Sequence, residues 1–271
     1  MTAGEQDRVG TVSRLSVGPV KGLGLHHPHS VDVTATGLAG DRRFFLADER
    51  DTLLSITRTG ALAPFTAIAE LDAPRERLTI SGPGGSEFTD AVELGAAVKV
   101  NFFGHHDVSG RVVQGRWAEF FSDLVGRSVR LIRADVANGA CDLHPLTLLG
   151  DASVQALAEH ADTSIDSRRF RMSIEFSGFA PFAEDEWSGR LLAAGDAELR
   201  VGGPVKRCAA TAREPESGQR DLPMLRMLKA MRGLQPSELG TGVNFGVYAH
   251  VVRPGRVSVG DQIRLVTDDG A

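Results

Sequence analysis

Apolar and polar residues alternate with a period of two over short stretches: VSRLSV (12–17), HSVDVTA (29–35), RFFLAD (43–48), RLTIS (77–81), VELG (92–95) and VKVNFFG (98–104). Successive side chains of a strand point to opposite faces, so this alternation predicts half-buried β-strands. Clusters such as SGPGG (81–85) punctuate them as turns. The 31 glycines and the close spacing favour antiparallel barrels or sandwiches over a βαβ parallel sheet. Near the carboxyl end, FGVYAHVV, RPG and RVSVGDQIRLV read as a hairpin.

Three segments change period from two to 3.6. Trp117, Phe120, Phe121, Leu124 and Val125 form one apolar stripe ended by Gly126, which predicts a core-facing helix over 116–125. DASVQALAEHA (151–161) predicts a second, with Asp151 as N-cap and Val154, Leu157 and Ala158 on one face. LPMLRMLKAMRG (222–233) predicts a third, with Pro223 in its first turn and Gly233 past its end.

Composition narrows the function classes. With 42% hydrophobic and 24% charged residues, the 271-residue chain is an ordinary globular sequence, long enough for one large domain or two modest ones. A net charge of −5 argues against general nucleic-acid binding, although a local basic cluster can still hold an anion. The opening MTAGEQDRVG has no apolar core for a secretory signal. No stretch reaches the ~20 apolar residues of a membrane span. Two cysteines, Cys141 and Cys208, make no disulfide framework, so the default expectation is a cytoplasmic protein with free thiols.

Cys208 follows a strand-like AELRVG (197–202), a GGP turn, and the cations Lys206 and Arg207. Neighbouring cations favour thiolate, and loop thiols of this kind are reactive. A buried cysteine acting as a small hydrophobe is the commoner fate, and spacing alone leaves both readings open. Cys141, in NGACDLHP, has no partner at metal spacing and reads as a free structural thiol. His144 nearby could do proton transfer, although a loop histidine satisfied by backbone is the commoner case. His26, His27 and His29, and the pair His105 and His106, match no zinc pattern and read as non-catalytic. No phosphate loop and no dinucleotide fingerprint occurs. PFAEDEW (181–187) sets three carboxylates in a row, a solvated turn or helix start with two positions free to face a site. Lys21 in PVKG, Arg42 in GDRR, Arg58 in SITR and Arg171 in RRFRMS sit beside glycines or strand ends, where arginine suits bidentate capture of phosphate or carboxylate.

The order of these pieces resembles the MOSC superfamily (molybdenum cofactor sulfurase C-terminal domain) with its N-terminal β-barrel companion. PVKG (19–22) is similar to the family's YPVKS element, and GLAGDRRFFLAD (37–48) to its GLxxDRxW segment. SITR (55–58) resembles the TxR strand, RRFRMSIEFSG (168–178) the FRPNIxI strand, and PFAEDEW the EDxW element. GGPVKRCAATAREPESG (202–218) resembles PCxRCxxTTVDPxTG, and NFGVYA (244–249) and RVSVGD (256–261) complete the order.

The resemblance implies a mostly β (α+β) fold: an N-terminal β-barrel or sandwich over about 10–110 and a MOSC β-barrel over about 111–268, with a few helices. It implies that Cys208 ligates molybdenum in a molybdenum cofactor (Mo-molybdopterin). Lys21, Arg42, Arg58, Arg171 and Arg207 would surround that cofactor, and Asp142 would face the metal. At superfamily level it also carries pyridoxal phosphate binding. The implied activity is reduction of small N-hydroxylated compounds or N-oxides, with Asp142 or His144 managing protons. Electrons would come from a separate donor protein of ferredoxin or flavoprotein reductase type, with no nucleic acid or membrane involved. The alternatives are a sulfur carrier using a Cys208 persulfide and a cofactor-binding or storage protein. The chain departs from the family pattern at Gly22 (serine in the family), at Met172 and Ser173 (Pro-Asn), at Leu143 and His144 (Thr-Ser), and in ATAREP.

Overall fold

A computed structural model describes residues 9–71 and 76–266. The opening segment read for a leader, up to residue 8, and the last two residues of the 111–268 half lie outside them. The molecule is built of β-sheet, as its alternating pattern predicts. A closed barrel joins seven strands in the order Val9–Leu15, Ile174–Ser177, Leu146–Gly150, Asn244–Arg253, Ala197–Lys206, Leu191–Ala194 and Gln262–Leu265, the last returning to the first. Its inward positions form one apolar core, including Val12, Leu15, Leu148, Ile174, Phe176, Leu199, Val247 and Ile263. Closure leaves no open sheet edge.

The second unit is a five-stranded sheet, Leu53–Leu54, Phe44–Asp48, Val129–Ala134, His106–Val113 and Leu94–Phe102, with a three-stranded meander over Thr66–Glu70, Arg77–Ser81 and Glu87–Ala91. The helix Trp117–Val125 closes its core, burying Trp117 and Phe121 against Phe44, Leu131 and Val129. Burial of side chains this large is worth roughly 1.5–3 kcal/mol each, which is why the 3.6-residue stripe shows in the sequence.

Three readings of the sequence change in the fold. The barrel contains one parallel pair, Leu146–Gly150 with Ile174–Ser177, linked through the helix Asp151–His160. This is a single βαβ crossover in an otherwise antiparallel barrel. The N-cap of that helix is Gly150, and the Asp151 side chain instead accepts a hydrogen bond from Ser13 at 2.9 Å. The carboxyl-terminal hairpin does not form. Asn244–Arg253 pairs with Leu146–Gly150 and Ala197–Lys206, whereas Gly255–Ser258 pairs with Ser30–Thr34. Pro254 cannot donate to a ladder, and both faces of Asn244–Ala249 are buried, so that strand is claimed by the barrel rather than by its neighbour in sequence.

The two units meet where the chain passes between them. Lys21 donates its amide to Phe44 at 2.8 Å, and Phe44 returns a bond to Pro19 at 2.8 Å, so the PVKG segment lies along the second sheet's strand. Arg42 bonds back to Gly18 through its amide at 3.0 Å. From the barrel side, the ends of Ala197–Lys206 and Ile174–Ser177 bring Cys208 and Arg171 to the same place.

Candidate active site

A cleft of about 390 Å³ opens at this junction. It is lined by Lys21, Arg42, Arg171, Arg207, Cys208, Asp142 and His144, together with Ser55 and Thr57. Seven of the eight side chains singled out in the sequence therefore face one cavity. Arg58 is the eighth; it is exposed and does not line the cleft, whereas its neighbour Thr57 does.

Cys208 is exposed, just past the strand Ala197–Lys206, and its Sγ lies 3.9 Å from Thr57 Oγ1. Cys141 is the other thiol of the cavity wall, and burial first, then the Asp41 carboxylate, push it up to about 12. Cys141 stays a neutral thiol, whereas Cys208 is the cysteine open to solvent.

Lys21 is buried, and its ammonium donates to the Ala140 carbonyl at 2.8 Å and to Asp142 Oδ1 at 2.7 Å. Arg42 adopts a left-handed conformation (φ 49°) and donates to Asp41 at 2.8 Å and to the Gly18 carbonyl at 3.2 Å. Arg171 is also left-handed (φ 55°), ending the 3-10 turn Ser167–Phe170, and donates to the Leu23 carbonyl at 2.7 Å. Its neighbour Arg169 is buried and paired with both oxygens of Asp221, at 2.7 and 2.5 Å, which fixes the turn. Burial, and then the adjacent Arg42, push the Arg171 guanidinium below its ordinary range. Two cations held this close favour an anion between them. Arg207 donates to the Phe170 carbonyl and, at 3.4 Å, to Met172 Sδ, with its guanidinium 5.2 Å from the Phe170 ring centroid.

The acids and histidines divide by partner. Burial raises the Asp142 carboxyl, but Lys21, Arg42 and Arg171 together outweigh it and hold Asp142 below the usual carboxylate range. Asp142 is an ionised acceptor at neutral pH. His144 Nε2 lies 3.0 and 2.9 Å from the two oxygens of Glu238, and its ring stands edge-on to His250 at 4.3 Å and to Tyr248 at 5.0 Å. Glu184 and Asp185, by contrast, face away from the cleft. Glu184 is buried and accepts from Ser153 at 2.8 Å, and Asp185 pairs with Arg232. Of the three PFAEDEW acids, Glu184 and Asp185 hold the fold together and Glu186 is exposed, while Trp187 beside them is in the barrel core.

Two lining residues, Ser55 and Thr57, were not singled out in the sequence, and neither was Glu238, which pairs with His144 from outside the cavity lining. Ser55 is 5% exposed, and its buried hydroxyl has no hydrogen-bond partner. A Cβ placed on Gly22 would come 3.8 Å from the Ile56 amide nitrogen, so Ser55 adjoins the position where the family pattern has a serine. A serine inside a TxR-like strand gives no sequence signal of its own.

The donor set fits a molybdenum cofactor. Cationic and hydroxyl donors suit a phosphate and a pterin, the unpartnered Ser55 hydroxyl awaits an acceptor, and an exposed cysteine sulfur suits a soft metal–sulfur centre. Among the described residues no cluster of three or more His, Cys, Asp or Glu is placed to hold a metal.

Comparison with known proteins agrees with this organisation. The MOSC N-terminal beta barrel domain model matches residues 9–128, and the MOSC domain model matches residues 136–264. Human mitochondrial amidoxime-reducing component 1 is 26% identical over 289 residues, covering 96% of this chain and 84% of that protein. The molybdenum cofactor sulfurase of Caenorhabditis briggsae is 25% identical over 271 residues, covering 95% of this chain but 36% of that longer protein. The YUAD protein of Bacillus subtilis aligns over 95% of both chains with a TM-score of 0.46 and 12% identity. No helix among the described residues is long and apolar enough to cross a membrane. With its two family models in tandem over nearly the whole chain, the protein belongs to the MOSC superfamily, with an N-terminal MOSC β-barrel companion.

Proposed function

We propose that the protein is a molybdenum-cofactor-dependent oxidoreductase that reduces small N-hydroxylated compounds or N-oxides. The observation that carries this reading is the cleft itself. One exposed thiol, Cys208, shares a cavity with Lys21, Arg42, Arg171 and Arg207, and with a buried hydroxyl that lacks a partner. The similarity to amidoxime-reducing components over 96% of the chain supports it.

Lys21, Arg42 and Ser55 would hold the phosphate, Arg171 and Arg207 the pterin, and Cys208 the metal. When bound, the cofactor would supply the two-electron redox chemistry. The overall conversion is balanced: the N–O bond of an amidoxime breaks, two electrons and two protons enter, and an amidine and water leave. The electrons come from a separate donor protein of ferredoxin or flavoprotein reductase type.

The chain's own residues handle charge and protons. Asp142 is held ionised by Lys21 and so accepts hydrogen bonds from the N–H groups of an amidoxime rather than giving up a proton. His144, oriented by Glu238, carries the proton to the departing oxygen. The test is a Cys208→Ala protein produced in a host that makes molybdenum cofactor. About one molybdenum per parent chain, lost in the variant together with benzamidoxime reduction, supports the reading; a variant that keeps both overturns it.

A second reading has its own support. The open exposure of Cys208 and the similarity to a molybdenum cofactor sulfurase favour sulfur carriage on a Cys208 persulfide. Intact-mass analysis separates the two, because a gain of one sulfur on Cys208 without molybdenum belongs to carriage alone.

A further inference from the structure

The hairpin joining Leu94–Phe102 to His106–Val113 places its tip at the mouth of the cleft: Phe103 and His105 both line the cavity. Its turn is closed by His105 donating its amide to the Phe102 carbonyl at 3.0 Å. Both central residues have positive φ, 56° at Phe103 and 82° at Gly104. Paired positive φ values of this kind call for Asn-Gly or Asp-Gly, because a bulky side chain in the left-handed region crowds its own backbone. Phenylalanine at the first position works against the turn.

Packing does not account for it. The Phe103 side chain is 49% exposed, and the second sheet's core is filled by its neighbour Phe102, which is fully buried. Phe103 meets Phe102 only edge-on, at a centroid distance of 6.5 Å. The strained turn is nevertheless held firmly. Gly104 donates its amide to Asn101 Oδ1 at 2.6 Å, Asn101 donates to Asp107 at 2.8 Å, and Lys99 pairs with Asp107 at 3.0 Å. A disfavoured backbone fixed by side-chain bonds, presenting an exposed aromatic ring to a cavity, is what a ligand-contacting position looks like.

The chemistry of the cleft says what the ring contacts. Beside the cations Lys21, Arg42 and Arg171, the cavity lining includes the apolar Phe103, Pro145, Leu239 and Val205, which suit an uncharged flat group. We propose that Phe103 is a specificity-determining residue that stacks on the aromatic portion of the substrate, so that aryl amidoximes and aryl N-oxides are preferred over alkyl ones. This rests on the oxidoreductase reading for the reacting group, but the binding preference does not need turnover.

The experiment measures binding of benzamidoxime and of acetamidoxime, both uncharged at neutral pH, to the full-length protein with no electron donor present, by calorimetry or ligand-observed NMR. Benzamidoxime is expected to bind about threefold to tenfold more tightly than acetamidoxime, the size of an aromatic stacking contact. Phe103→Asn restores the favoured turn residue, so this variant is expected to melt no lower than the parent while losing the preference for benzamidoxime. Phe103→Tyr keeps a ring and is expected to retain it. Equal affinity for the two probes in the parent, no benzamidoxime binding, or an unchanged preference in Phe103→Asn would each overturn the proposal. Kinetics with the same two compounds and an electron donor then separate the two levels. Absence of turnover with an intact benzamidoxime binding preference counts against the reaction assignment, whereas turnover of both substrates with equal KM counts against Phe103.

Discussion

Lys21 and Asp142 meet at 2.7 Å across the junction of the two units, one from the segment that runs along the Phe44–Asp48 strand, the other from the loop after Val129–Ala134. The lysine is buried and the carboxylate side chain is 58% exposed, so the pair tunes charge in the cleft more than it stabilises the fold. An ion pair with one open partner is worth within about 1 kcal/mol. Asp142 titrates below its ordinary range in the folded state, so its stabilising share is present above the unfolded value and is lost as pH falls through the folded one. Lys21→Met is expected to melt within a few degrees of the parent near neutral pH, and to lose less stability than the parent on acidification below about pH 4. Parallel thermal-midpoint curves against pH for the two proteins would contradict this.

Ser55 separates binding from stability more sharply. Its buried hydroxyl has no partner, so Ser55→Ala removes a polar atom that the folded chain does not satisfy. The variant is expected to be as stable as the parent or more stable by up to about 1 kcal/mol. If the hydroxyl serves the cofactor's phosphate, molybdenum retained through purification drops in Ser55→Ala and recovers in Ser55→Thr. Elemental analysis beside a melting curve reads both. A loss of stability with unchanged retention would mean that Ser55 has a structural partner instead.

The β-rich fold class was legible in the sequence, and so were seven of the side chains that the fold brings to one cleft. Strand alternation and the three helical stripes were legible because each side of an element meets either core or water. The cations and Cys208 were legible through the order of their motifs. Long-range pairing was not. Asn244–Arg253 and Gly255–Ser258 are adjacent and both strand-like, yet each prefers a partner distant in sequence, which local pattern cannot report. Arg58 and Thr57 show the finest grain of this limit, since one residue's step along the chain exchanges a cleft-lining position for an exposed one. Ser55 and Phe103 gave no signal because an unpaired hydroxyl and a positive φ exist only in three dimensions.

Glu184 should set a pH dependence of the opposite sign to that of Asp142. Burial raises its carboxyl above the usual value, although Ser153 and the Gly150 amide partly offset this. The folded chain therefore holds the proton more tightly than the unfolded one, and stability falls as pH rises from the ordinary carboxylate value through the raised one. Glu184→Gln keeps an acceptor for Ser153 and Gly150 without the buried charge, so it is expected to be neutral or stabilising at pH 7 and to lose that pH dependence. Glu184→Ala leaves those donors unmet and is expected to cost about 1–3 kcal/mol. Denaturant unfolding at pH 5 and pH 8 distinguishes them, and a Gln variant as damaged as the Ala variant would refute the assignment.

The loop that carries Cys208 is tied to the second unit by a contact between two glycines. A Cβ on Gly218 would stand 2.0 Å from the Gly60 carbonyl oxygen, and Gly218 has φ +69°, so this position rejects a side chain on two grounds. Arg213 reinforces the seam, donating to the Gly218 carbonyl at 2.7 Å, to the Thr57 carbonyl at 3.3 Å, and to the Ile56 carbonyl. Arg220 reaches the same Thr57 carbonyl at 3.2 Å. These bonds hold Ser55–Thr57 against the Cys208 loop, and Thr57 in turn faces the thiol. Gly218→Ala is expected to cost about 1–3 kcal/mol and to part the two loops. Arg213→Lys, which cannot span three carbonyls with a planar fork, is expected to keep the fold but loosen the same seam. Both variants should then label faster than the parent at Cys208 with a maleimide, while Cys141 stays unreactive. Unchanged Cys208 labelling in both variants would show that the seam does not govern access to the thiol.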